Sequence, residues 1–170
     1  FEGGGALYAD LDFILIERCL FEENTTGAEM EGGGAATIRG DGLCTIRDCT
    51  FFRNEGMYCG GVTLDTAVAN VLRCRFVANH AMFGPSLTCV SSIVSGSDNT
   101  SITNSLFAHN SADVSSGAIH MYGPSATIAN TTLYANNDGI ANVSTGTVSA
   151  SNCIVWANDA FQISPGVDVT

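Results

Sequence analysis

The chain has no lysine, and only 14% of its residues are charged, well below the usual quarter. Its six arginines all lie between Arg18 and Arg75, while 17 acidic residues bring the net charge to −11. A phosphate backbone or an anionic bilayer would be repelled, so nucleic acid and charged membrane surfaces are excluded as partners. No apolar run reaches the roughly 18 residues that a spanning helix needs, so no membrane insertion by a helix is expected. Proline is limited to 3 residues. The apolar residues follow no 3.6-residue period, which argues against helical repeats. Regular leucine ladders are missing, as are the hairpin signals and the repeat of about 40 residues of a propeller blade. No signal peptide is visible. The chain opens on Phe1 rather than Met, so a processed protein or a piece of a longer one is expected.

What is present is a repeat. A hexad of a small or thiol residue, an apolar residue two places on and Asn at its end begins with Cys19, Phe21 and Asn24. It recurs as Cys49, Phe51, Asn54; Cys74, Phe76, Asn79; Ser105, Phe107, Asn110; Thr131, Leu133, Asn136; and Cys153, Val155, Asn158. The steps between successive Asn residues are 30, 25, 31, 26 and 22. The loops therefore vary while the hexad does not. Three residues before each hexad stand Ile16, Ile46, Val71, Ile102, Ile128 and Ala150. Immediately before it stand Arg18, Asp48, Arg73, Asn104, Asn130 and Asn152. Further upstream come Gly-rich starts at Gly3–Gly5, Gly32–Gly34, Gly60–Gly61 and Gly117, with a degenerate copy at Asp138–Gly139. The fourth repeat has Leu87-Thr88-Cys89-Val90 instead.

Alternate residues of a strand share a face. Ile14 and Ile16 can share an interior with Cys19 and Phe21 only if the chain bends between the pairs. Asn and Asp tolerate the left-handed backbone such a bend needs. Each repeat thus holds three short strands and three turns in about 27 residues, one coil of a β-helix. The predicted fold is an all-β, right-handed, single-stranded parallel β-helix of six coils. It fills residues 1–170 as a single domain, part of a longer chain or assembly. At a strand spacing of about 4.8 Å the rod would be roughly 30 Å long. Phe21 and its equivalents should stack as one ladder, the small residues as a second, and the Asn amides as a hydrogen-bonded third.

The Gly-Gly-Ala starts and Phe-x-x-Asn ends resemble the repeats of chlamydial polymorphic outer-membrane proteins. They also resemble secreted bacterial right-handed parallel β-helix repeat proteins, which share the pectate-lyase-like fold. The segment Asn152–Asn158 with Gln162-Ile163 is similar to the last coils of that second group. The resemblance implies a secreted or surface-exposed protein acting in adhesion or display.

Chemistry-bearing residues are few. Asp10, Asp12, Asp41, Asp65 and Asp98 fall before their hexads and are expected to cluster at one turn. As oxygen ligands they could hold Ca²⁺, or as paired acids they could cleave glycans. A lyase would also need a basic residue, and Arg39 is the only cation nearby. His80, His109 and His120 do not share a repeat position, so no zinc site and no Ser-His-Asp arrangement follows from the pattern. Seven cysteines point to an oxidising compartment. Four belong to the small-residue ladder, and Cys44 should also face inward, as fillers. Cys59 and Cys89 hold similar first-strand positions and are the expected disulfide, with Cys19–Cys49 second. The odd count leaves at least one thiol over. Asn24, Asn99, Asn130 and Asn142 carry the glycosylation acceptor pattern. Only Thr145-Gly146-Thr147 offers an ice-binding pair, so that function is set aside.

The expected function is an extracellular structural or adhesive module, self-associating end to end, with other copies or further coils as partners. The alternative is a glycan-binding or polysaccharide-cleaving β-helix, with Ca²⁺ as its one conceivable cofactor.

Overall fold

The computed structural model describes residues 4–27, 32–82, 87–90, 99–113, 117–122, 125–142 and 146–170. Among them there is no helix, and every strand pairing is parallel. The chain is a parallel β-solenoid. The hexads form a six-stranded sheet from Leu20–Glu22 through Thr50–Phe52, Arg75–Val77, Leu106–Ala108 and Thr132–Tyr134 to Ile154–Trp156. Six rungs enclose five intervals, so the solenoid makes about five turns rather than six. Its hexad sheet is correspondingly about 24 Å long rather than 30 Å.

The two strands that precede each hexad belong to one larger, 11-stranded sheet. In the second and third coils they run on as single strands, Ala36–Arg47 and Val62–Leu72, with a register shift between Gly40 and Leu43. The aberrant fourth coil keeps its strand: Leu87–Val90 lies between Val62–Leu72 and Gly117–Tyr122. After the ladder Asn comes a short sheet that the sequence reading did not separate, made of Glu55–Gly56, His80–Ala81 and Ser111–Ala112.

The three ladders form as expected. Phe21, Phe51, Phe76 and Phe107 stack with centroids 4.6–4.8 Å apart and planes within 5°. The Ile16 column lies in strict register through Ile46, Val71, Ile102, Ile128 and Ala150. In the Asn ladder each amide oxygen accepts two N–H groups from the coil before. The Asn54 backbone N–H and Nδ2 both donate to Asn79 Oδ1, at 3.0 and 2.9 Å. From Asn54 on, each Nδ2 also donates to a hexad carbonyl of the coil before, as Asn79 does to Phe51 at 3.0 Å. The last rung is closed locally: Gln162 Oε1 takes the place of a further Asn and accepts from Asn158 Nδ2 at 2.9 Å. Buried amides are thereby fully employed in holding turns.

Each coil bends twice through left-handed backbone. The first bend is the predicted one, with φ of 49–55° at Arg18, Asp48, Arg73, Asn104, Asn130 and Asn152. The second, with φ of 52–56°, falls on Glu23, Arg53, Ala78, His109, Ala135 and Ala157, just before the ladder Asn. The small-residue column explains itself at the first bend. Ser105 Oγ and Thr131 Oγ each donate to the carbonyl two residues back at 2.9 Å. The thiols of Cys19, Cys49, Cys74 and Cys153 do the same at 3.2–3.4 Å. These residues are donors that brace the corner, not only fillers.

The Gly-Gly starts answer to close backbone approach. A Cβ on Gly34 would sit 2.5 Å from the Gly60 carbonyl oxygen, and one on Gly60 would sit 2.6 Å from the His80 amide nitrogen. Only a residue without a side chain lets the next coil stack there.

Candidate functional site

The acidic turn does not assemble as a calcium column. Asp10, Arg39 and Asp65 are in register on adjacent coils. Arg39 Nε donates to Asp65 Oδ2 at 3.2 Å, so a guanidinium occupies the level between the two carboxylates. A hard dication would have to displace it. Asp12 and Asp41 lie at the register shift beside them, where the Asp12 backbone carbonyl packs against Gly42. Asp98 lies outside the described residues. Among the described residues no three His, Cys, Asp or Glu side chains come together as a metal site.

The cysteine expectations are also corrected. Cys59 bridges to Gly33, whereas Cys89 stands opposite Leu64 and Met121. Leu64 is five residues beyond Cys59, so the two residues are not at one level of the sheet. Cys19 and Cys49 are stacked neighbours but both are thiols. Burial pushes Cys44 up to about 12 and also raises Cys19. The hydrogen bond with Cys49, then burial, raises Cys74. Cys19, Cys44 and Cys74 are therefore protonated and poorly suited to nucleophilic attack.

Of the glycosylation acceptors, Asn24 belongs to the ladder and its Nδ2 is committed to Asn54 Oδ1 at 2.8 Å. Asn142 Nδ2 donates to the Gly146 and Gly166 carbonyls. Asn99 and Asn130 are exposed, and Asn130 Oδ1 accepts from Asn152 Nδ2.

Two outward features were not foreseen. Along the first corner runs an open groove of about 410 Å³, lined by Arg73, Arg75, Asn104, Asn130 and Thr132 over a floor that includes Leu106. Arg73 is held by both Asp48 oxygens at 2.6 and 2.7 Å. Arg75 is exposed.

The second feature lies on the short sheet. Glu55, His80 and Ser111 are in register on three successive coils. His80 Nδ1 is 2.9 Å from Ser111 Oγ, and His80 Nε2 is 3.6 Å from Asp113 Oδ1. The readable signal was the position immediately after the ladder Asn, where Glu55, His80 and Ser111 recur. The three histidines hold different repeat positions, so what recurs is the position and not the residue type.

His120 is buried, and burial lowers it to about 4, so it is a neutral core imidazole. His109 packs edge-on against Tyr134 at 5.4 Å, and Tyr134 stacks on Trp156 at 5.6 Å. Compared with protein-family models, with curated proteins and with solved structures, the chain finds no match.

Proposed function

We propose that this chain is an extracellular structural or adhesive solenoid module that associates through its ends. The observation that carries the reading is where the repeated residues go. The Phe, Ile and Asn columns are inward and spent on stacking. The outward column next to the Ile16 ladder, Thr45, Asn70, Ser101, Thr127 and Ser149, is small and polar from the second coil on. Leu43, Tyr58, Met82 and Tyr134 on the middle coils are only 37–42% exposed, and the most exposed large apolar side chains lie on the terminal coils. Leu11, Phe13, Leu15 and Leu20 are 57–80% exposed at one end, and Ile154, Trp156 and Val169 are 62–67% exposed at the other. Apolar surface concentrated in this way is the usual mark of a contact surface.

Light scattering and negative-stain electron microscopy over a range of concentration test the reading. Rods several times the length of one chain are expected. They should shorten to single units with Phe13→Ser and Trp156→Ser together. Single rods of unchanged length at every concentration would overturn the end-to-end contact.

A second reading, glycan binding, rests on the corner groove. Amide and hydroxyl side chains of Asn104, Asn130 and Thr132 beside Arg75 suit sugar hydroxyls and an acidic substituent. A glycan-binding screen with and without chelator, repeated on Arg75→Ala, tests it. Binding that survives chelation and falls with the variant supports it; no binding in either condition ends it.

A further inference from the structure

Stacking brings a histidine beside a serine and an aspartate on the outside of the tube, from a coil that the sequence separates by about 30 residues. Ser111 follows ladder residue Asn110, and His80 follows Asn79. Their strands pair in register, so the two side chains leave the short sheet side by side. Asp113 lies two residues beyond Ser111 and therefore on the same face. Its carboxylate reaches the far side of the imidazole, 3.6 Å from Nε2. The near side, Nδ1, is 2.9 Å from the serine hydroxyl. The carboxylate favours the tautomer with its proton on Nε2, and that leaves the Nδ1 lone pair facing Ser111 Oγ–H. A nucleophile, a base within hydrogen-bond reach and a third group orienting the base are the parts of an activated hydroxyl, whichever ring nitrogen does which task.

We propose that Ser111 is a nucleophilic serine, with His80 as its general base and Asp113 as a positioning residue, and that it accepts acyl groups from small activated esters. Ser111 Oγ attacks the ester carbonyl while its proton passes to His80 Nδ1. An Oγ–C bond forms. When the tetrahedral adduct collapses, the C–O bond to the leaving group breaks and the alcohol departs with the proton from His80. Water, deprotonated by His80, then releases the acid and restores the hydroxyl. Ser111 and His80 are both partly exposed on an outer face. The fitting substrate is therefore a small or terminal acyl group presented from solvent rather than one enclosed in a cleft. This reading is independent of the scaffold role, because none of the three side chains belongs to the inward ladders.

A fluorophosphonate probe tests it directly. Its phosphorus bonds to Ser111 Oγ, fluoride leaves, and the serine proton goes through His80 to solvent. Intact mass followed by peptide mapping should give one adduct per chain, at Ser111. His80→Ala should slow labelling by about 100-fold, the usual weight of a general base, and Asp113→Asn by about tenfold, with the rate recovered in Asp113→Glu. Ser111→Ala should abolish it. The thermal midpoints of all three variants should match the parent, since these side chains lie outside the tube. No adduct, an adduct elsewhere, or labelling at the same rate in His80→Ala would overturn the proposal.

Discussion

The two left-handed bends of each coil have nearly the same backbone and quite different sequences. At the first, half of the residues are Asn and one is Asp, types that tolerate the conformation. At the second the same φ falls on Glu23, Arg53, Ala78, His109, Ala135 and Ala157, half of them Ala and none of a type that favours the conformation. What the bends share is the residue that follows. After the first comes Cys, Ser or Thr, donating back across the corner to the carbonyl two residues earlier. After the second comes Asn, tied to the coils on both sides. The first bend is thus favoured locally and braced by one bond. The second is imposed from outside by a ladder.

This comparison can be broken or sharpened by substitution. The largest effect is expected where the two bends meet, at the phenylalanine between them. Phe76→Ala removes a fully buried ring stacked on both neighbours and should cost about 4 kcal/mol in urea unfolding. Asn79→Ala should cost about 3 kcal/mol, because it strands the Asn54 donors and the Phe51 carbonyl in the interior. The matching change at the first bend, Ser105→Ala, loses the bond to Thr103 and the acceptor for the Cys74 amide and should cost only about 1 kcal/mol. Equal losses at the two sites would end the distinction.

The residues in the bends should respond in the opposite sense. Ala78→Gly relieves a left-handed alanine and should stabilise by about 0.5 kcal/mol. Asn104→Gly should leave the denaturant midpoint unchanged, since Asn already accepts the backbone. The smallest effect lies just past the second bend. Burial raises the Asp138 carboxyl above its ordinary range, offset only in part by the nearby Phe161 and Ala160 backbone amides, and neither of its oxygens makes a well-formed hydrogen bond. With the folded value above the unfolded one, its protonated form contributes fully below the unfolded value, and that contribution is lost as pH rises through the folded value. Asp138→Asn should therefore raise the thermal midpoint at neutral pH, with the gain shrinking toward pH 3 in melts across that range.

The fold was legible because the repeat is written at inward positions. Phe21, Asn24 and Ile16 recur at fixed offsets whatever the loops do, since a one-residue slip would turn every side chain to the other face. The second bend was not legible, because Ala78 and His109 hold a backbone that their own chemistry disfavours. Nor was the short sheet, whose strands have only two residues each. The acidic turn was not legible as it stands: Arg39 between Asp10 and Asp65 depends on cross-coil register. The same holds for Cys59 and Cys89, similar in sequence context and five residues out of step in the sheet. The Ser111–His80 contact spans 31 residues and exists only because coils of unequal length return to the same rung.

By itself the sequence determined that the chain coils, where it turns first, and which side chains fill the tube. Those properties follow from two-residue alternation and from a hexad that tolerates no slip. Tertiary structure alone decided what stands beside what on the outside. Loop lengths vary from coil to coil, so outward neighbours are set by how the coils stack and not by their distance along the chain. The Arg39 pairing, the corner groove and the serine–histidine–aspartate cluster are all of that second kind.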